Sequence, residues 1–288
     1  MSAPYHGGAP AAHPPMGKEY QRTAVSHAVR LADGRVLHVR DWPGRGRPLV
    51  LLHGLLDSGA GWDELARVSP HRCLAVDLPG FGGSDPPSRP RLSAYAEDVA
   101  EALGRLAVRA PTLVGHSLGG GVATAVAERM GREVRGLVLS APVGFGRLAL
   151  AELAALPVLR ALAVRSLPLL VTRAPVLDLV YAGFVTHGMA PSDALRHRLV
   201  ADAAAVGPGL RAALEALAFA GRSERAFHRR PVRYDGPVAV LWGDRDAIVP
   251  PGHARRVVTA LPQSQVHIWT GMGHHPQREE PARLAALV

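Results

Sequence analysis

Gly115-His116-Ser117-Leu118-Gly119 is the stretch on which the reading of this chain turns, because of its two flanks. Pro111-Thr112-Leu113-Val114 ahead of it is a short apolar run that predicts a buried strand, and Gly120 to Arg129 behind it predicts a helix. A Gly-x-Ser-x-Gly between a strand and a helix is a nucleophile elbow, a strained turn that lifts the Ser hydroxyl off the sheet at a helix N-terminus. The glycines two positions away on each side keep the backbones from colliding. Five-residue patterns of this kind are common by chance, so the two flanks carry the inference.

Outward from the elbow, Thr23–Arg30 and Arg35–Trp42 predict a hairpin closed by Ala32-Asp33-Gly34. Pro48–His53 and Cys73–Asp77 are continuous apolar runs, the pattern of strands covered on both faces. Ser93–Val108 has helical spacing, with Tyr95, Val99, Leu103 and Leu106 on one side and Ser93 as the expected N-cap. Val134–Ser140, Pro237–Trp242 and Gln265–Thr270 read as further strands, with a helix near Gly252–Ala260. Strands alternating with helices predict an α/β fold, a mostly parallel sheet flanked by helices. Between Val143 and Pro231 the alternation gives way to Ala/Leu-rich helical segments broken by Pro157, Pro168, Pro175, Pro191 and Gly207-Pro208-Gly209. The expected organisation is a flexible N-terminal tail over 1–20, a core over 21–143 and 232–288, and an inserted helical cap over 144–231. Such a cap would stand over the C-terminal edge of the sheet, where α/β folds place their ligands.

The 288 residues suit one large domain carrying an insertion, and 48% hydrophobic with 20% charged residues is an ordinary globular balance. Net charge is +9, but Lys18 is the only lysine and the arginines are scattered among acids and alanines. Without a basic run or an aromatic-interleaved basic stripe, no nucleic-acid partner is expected. Cys73 stands alone, so no intramolecular disulfide can form, and its apolar neighbours predict a packing role. No basic segment followed by an apolar run opens the chain, and no apolar stretch reaches the length of a membrane span. The expectation is a cytoplasmic protein with neither signal peptide nor transmembrane segment.

A serine hydroxyl is a poor nucleophile near neutral pH and needs a base, which needs an orienting acid. After an elbow serine the acid and then the histidine follow downstream. Gly243-Asp244-Arg245-Asp246-Ala247-Ile248-Val249-Pro250 and Gly271-Met272-Gly273-His274-His275-Pro276 both lie just past predicted strands, on the same edge as Ser117. Asp246 is preferred to Asp244 because the following Ile-Val-Pro would anchor its loop. His274 is preferred to His275 because it follows the glycine directly. The backbone N–H groups of Leu55, after His53-Gly54, and of Leu118 are the expected oxyanion hole, and His53 is expected to organise its loop. Gly80-Phe81-Gly82-Gly83-Ser84-Asp85 runs into Pro86-Pro87 rather than a helix, so it is no dinucleotide loop. The 14 histidines show no zinc-type spacing, and His274 and His275, being adjacent, are expected to point apart, so no metal is expected.

These motifs, with Asp77-Leu78-Pro79-Gly80 and Gly273-His274-His275-Pro276-Gln277-Arg278-Glu279-Glu280-Pro281, together resemble the α/β-hydrolase superfamily from about residue 25 to the end, apart from the cap. The resemblance implies Ser117 as nucleophile, Asp246 as acid, His274 as base and a lid over 144–231. The serine separates the chain from dehalogenases and epoxide hydrolases, which use an aspartate nucleophile. Length and cap are similar to those of carboxylesterases and of carbon–carbon bond hydrolases acting on aromatic ring-fission products. The latter usually carry Asn before the serine and often Trp after the histidine, where this chain has His116 and His275. The resemblance therefore implies a serine hydrolase of a carboxylic ester or thioester, working without a cofactor on a small, moderately hydrophobic acyl substrate. The cap's 11 arginines against 6 acids allow an anionic one. The alternatives are carbon–carbon hydrolysis and a non-catalytic binding protein of the same fold.

Overall fold

The computed structural model describes Tyr20 and residues 22–186, 191–205, 207–222 and 226–288. Apart from Tyr20, the expected tail lies outside the described residues. Eight strands form one sheet: β1 (Val25–Arg30), β2 (Val36–Trp42), β3 (Arg45–Leu52), β4 (His71–Val76), β5 (Thr112–His116), β6 (Gly136–Ser140), β7 (Val238–Gly243) and β8 (Ser264–Trp269). Their order is β1-β2-β4-β3-β5-β6-β7-β8. β2 runs antiparallel to β1 and β4, and the remaining pairings are parallel. The first two strands form the predicted hairpin. Gly34 takes a left-handed φ of 91°, and the Asp33 carboxylate accepts the Arg35 N–H at 3.0 Å.

The central strands lack a polar face because helices cover both sides. Along β3, Val50 and Leu52 join α2 (Leu92–Arg105) and α3 (Leu118–Met130) through Val99, Leu103, Val122 and Val126. Leu49 and Leu51 point the other way, toward Leu65 of α1 (Asp63–Val68) and Leu284 of α11 (Pro281–Ala285). Each such side chain contributes about 1.5–3 kcal/mol on burial, which fixes the register on both faces. Cys73 is wholly buried in the second cluster. Burial pushes its thiol up to about 11, so it packs and does not react.

Two local expectations change. Helix α2 starts at Leu92, whose buried side chain belongs to the core, so Ser93 is inside the helix and extended Arg91 is the cap residue, without a side-chain capping bond. Between β6 and β7 lie α4 (Ala149–Ala154), α5 (Pro157–Val171), α6 (Ala174–Val180), α7 (Asp193–Ala205) and α8 (Gly207–Arg222). Pro168 does not break this series. It sits in the last turn of α5, while Gly207-Pro208-Gly209 forms the first turn of α8, where a missing N–H costs little. Helices α9 (Ala254–Ala260) and α10 (Pro276–Glu279) complete the core.

Candidate active site

Ser117 stands between β5 and α3 with φ 52° and ψ −114°, a left-handed backbone that a side chain rarely tolerates. The strain is held from several sides. Its N–H donates to the Ser140 carbonyl at 2.9 Å, and its own carbonyl accepts the N–H groups of Gly120, Gly121 and Val143. A Cβ at Gly119 would strike the main chain of Leu52 and His53, and one at Gly115 would strike Gly119, so the flanking glycines are needed for close approach.

The loop after β7 carries Asp246, buried, and the loop after β8 carries His274, also buried. His274 Nδ1 meets Asp246 Oδ2 at 2.8 Å. The other carboxylate oxygen accepts the backbone N–H of Ile248 at 2.9 Å and of Val249 at 2.8 Å. The Ile-Val-Pro segment thus anchors the acid as its sequence suggested. Asp244 is exposed and accepts the Gly271 N–H, which links the two loops. Of the two aspartates, Asp246 is the buried one and the one bonded to His274.

Ser117 and His274 both face a cavity of about 230 Å³ that also reaches Leu55, Leu118, Asp57 and Arg278. Helices α5 to α8 close it with apolar side chains such as Leu167, Leu177 and Leu217. The insertion also grips the histidine loop directly, since the His274 N–H donates to the Val185 carbonyl. His53 lies under the Leu55 loop. Its Nδ1–H donates to the Gly54 carbonyl at 2.7 Å, which leaves Nε2 to accept the Leu78 N–H at 2.9 Å. The Gly80–Gly83 loop folds around a carboxylate, with Asp77 accepting the N–H of Gly59 at 2.6 Å and of Gly83 at 2.9 Å.

The expected splaying of His274 and His275 is not what the fold produces. Their ring centroids are 5.4 Å apart, and the His116 ring sits 4.7 Å from the first and 4.4 Å from the second. One nitrogen from each of the three lies within 4.8 Å of the others. His116 Nε2 bonds the His274 carbonyl at 2.8 Å and must donate to it, so its Nδ1 is a bare acceptor. Burial, then its neighbours His274 and Arg278, hold His116 well below the usual imidazole range. Burial and His116 do the same to His275. Both rings are neutral spacers at physiological pH.

Three residues at this site went unread in the sequence. Arg278 lies four residues after His274, and its guanidinium pairs with the Asp57 carboxylate at 2.7 Å, both side chains being about 5% exposed or less. Tyr181 begins the π-helical turn Tyr181–Val185 and is buried beside them. The i+4 spacing from His274 to Arg278 was the one available signal, and nothing local marks Asp57 or Tyr181.

The chain belongs to the α/β-hydrolase fold family, whose model matches residues 47–281. An uncharacterized protein of Mycobacterium tuberculosis is 31% identical over 263 residues, covering 85% of this chain and 75% of that one. A 2-hydroxymuconate semialdehyde hydrolase of Pseudomonas putida is 27% identical over 271 residues, 90% of this chain and 91% of its own. Among solved structures, an esterase from Exiguobacterium antarcticum superposes with a TM-score of 0.74 at 20% identity, covering 91% of this chain and 97% of that one. That likeness is one of fold. No helix among the described residues is long and apolar enough to cross a membrane.

Proposed function

We propose that the protein hydrolyses a carboxylic ester or thioester through an acyl-enzyme on Ser117. One observation carries the reading: strained Ser117 and Asp246-bound His274 open on one largely apolar cavity. His274 takes the hydroxyl proton as Oγ attacks the carbonyl, and Asp246 holds the ring and stabilises the imidazolium. The N–H groups of Leu55 and Leu118 receive the oxyanion. Leu118 opens α3, where a first-turn N–H has no intrahelical acceptor. Each such donor stabilises the transition state by about 3–4 kcal/mol. His274 then protonates the leaving group, and water repeats the sequence in reverse. The helices over 144–231 serve as a cap that supplies the apolar wall, and the compartment is the cytoplasm, in keeping with a lone, inert cysteine.

Ser117→Ala should abolish ester turnover with the fold intact, a loss of roughly 10⁶-fold by analogy with serine proteases. A fluorophosphonate should add once to the wild-type protein, at Ser117, and intact mass reads the adduct. Wild-type hydrolysis by the alanine variant would end this reading, and no adduct on the wild type would favour a binding protein.

Carbon–carbon hydrolysis is the second reading, favoured by relatives named as 2-hydroxymuconate semialdehyde and 2-hydroxy-6-oxononadienedioate hydrolases. His116 and His275 stand where such enzymes usually carry Asn and often Trp. We therefore expect 4-nitrophenyl esters of short to medium acyl chains to be cleaved with higher kcat/KM than a 2-hydroxy-6-oxo-dienoate. A tenfold preference for the dienoate would reverse the order of the two.

A further inference from the structure

Arg278 is a buried cation with donors to spare. Its Nη2 is engaged by Asp57 Oδ2 at 2.7 Å, while Nε and Nη1, both buried, meet no hydrogen-bond acceptor among the described residues. The other oxygen of Asp57 accepts the Ser58 N–H at 2.9 Å. A guanidinium carries five N–H groups in a fixed plane and cannot turn an unused edge toward water without moving the whole side chain. Gly61 makes room for the pair, since a Cβ there would lie 2.8 Å from Nη2 and closer still to both Asp57 oxygens.

Arg278 lines the cavity that holds Ser117 and His274. Next to it are Tyr181, whose hydroxyl interacts with the guanidinium, and His275, whose buried Nδ1 has no partner. His116 cannot contribute a donor, because its one N–H is spent on the His274 carbonyl. Apart from these residues and Asp57, Ser117 and His274, the described lining is leucine, valine and isoleucine. Burial works against the charge on Arg278, but Asp57 and Tyr181 outweigh it and the side chain stays cationic. A planar anion with two acceptor oxygens matches such a fork, and in a dry site the pairing is strong.

We propose that the Arg278 end of the cavity is a carboxylate subsite, and that the preferred substrate is an ester bearing a second, ionised carboxyl group. This rests on the hydrolase reading for the ester but not for the binding of the anion. The subsite would orient the substrate by its carboxylate, with the apolar wall taking the carbon chain between that group and the ester.

Two substrate pairs test it and place the carboxylate on one side of the ester or the other. Mono-4-nitrophenyl adipate against 4-nitrophenyl methyl adipate puts it on the acyl side. 4-Acetoxybenzoate against its methyl ester puts it on the alcohol side. We expect the anionic member of at least one pair to have kcat/KM higher by about tenfold or more. Arg278→Met should bring that ratio to unity or below, and Arg278→Lys should keep part of it, because a point charge replaces the fork. Calorimetry of adipate and benzoate with the wild-type protein gives a readout that needs neither turnover nor a stable variant. Binding without cleavage of any ester would keep the subsite and discard the esterase. Cleavage of neutral esters with neither an anionic preference nor anion binding would discard the subsite and keep the esterase.

Discussion

The end of β5, the loops that follow β3, β5 and β8, and α10 bring every polar side chain among the described residues to the cavity except Tyr181, whereas the helices inserted between β6 and β7 bring mostly leucines and valines. Several arginines of the insertion are occupied elsewhere. Arg147 pairs with Glu152 at 2.8 Å, Arg160 with Glu215 at 3.2 Å and Arg196 with Asp178 at 2.9 Å. Arg198 reaches out of the insertion to the Ala60 carbonyl at 2.8 Å and so ties it to the loop after β3. Among the described residues, the cation that lines the cavity is Arg278, from the core. An excess of arginine in a segment therefore says little about its ligand, because the count does not reveal which side chains already have carboxylate partners. The two walls also differ in how tightly they are specified. A strand end is fixed by hydrogen bonds on both sides and permits one residue type, while an apolar wall can be built from many.

The sharpest way to break this division is to compare the two aspartates of one loop. Asp246→Asn should lower kcat about 10⁴-fold by losing the correct histidine tautomer. Asp244→Asn removes an exposed charge but keeps an oxygen for the Gly271 N–H, and should cost less than about tenfold. Small and equal losses would mean that the acid lies elsewhere, with the loop after β6 the next place to look. A smaller effect is expected on the other wall. Leu167, half-buried on α5, lines the cavity. Leu167→Ala should shift the preferred acyl chain longer by one or two carbons, changing relative kcat/KM by about tenfold, because a methylene in an apolar pocket is worth about 1–3 kcal/mol. If kcat fell for every chain length alike, the insertion would be doing more than forming a wall.

The same contrast explains what could be read from the sequence. Ser117, Asp246 and His274 were legible because each sits where a backbone turn demands particular neighbours, Gly119 beside the serine and Ile248-Val249 behind the acid. The sheet was legible because strands buried on both faces must be continuously apolar, as Leu49-Val50-Leu51-Leu52 is. The helical insertion was legible in kind and not in detail. Leu153, Val158, Leu162 and Leu179 are all more than half exposed, so its apolar pattern does not mark one buried face. Pro168 was misread because a proline in the last turn removes one bond without ending a helix. Ser93 was misread because core burial of Leu92 moved the helix start past a good capping residue. Arg278 and Asp57 were missed because they meet across 221 residues of chain, and no local pattern joins them.

The smallest expected effect concerns the stability of the polar wall itself. Glu279, on α10, accepts the Gly273 N–H at 3.1 Å and so holds the histidine loop. Burial first, then nearby Glu280 and Asp246, raise its carboxyl from an ordinary value of 4.5 to about 7 against the pull of the Gly273 N–H. Between those two values the folded chain binds the proton more tightly than the unfolded chain. Stability from this group is therefore full at acid pH, falls as pH rises from 4.5 through about 7, and is level above that. Glu279→Gln cannot ionise and keeps an oxygen for the Gly273 N–H. It should be more stable than the wild type above pH 7 by about 1–2 kcal/mol, allowing for the partial exposure of the side chain. That corresponds to a Tm higher by about 2–8 °C at pH 8, shrinking as the pH is lowered toward 4.5. A Tm difference that did not change with pH would show that Glu279 is not the group that titrates against the fold. A matching change in Leu167→Ala, which alters no charge, would show the pH dependence to be general to the molecule and not a property of its polar wall.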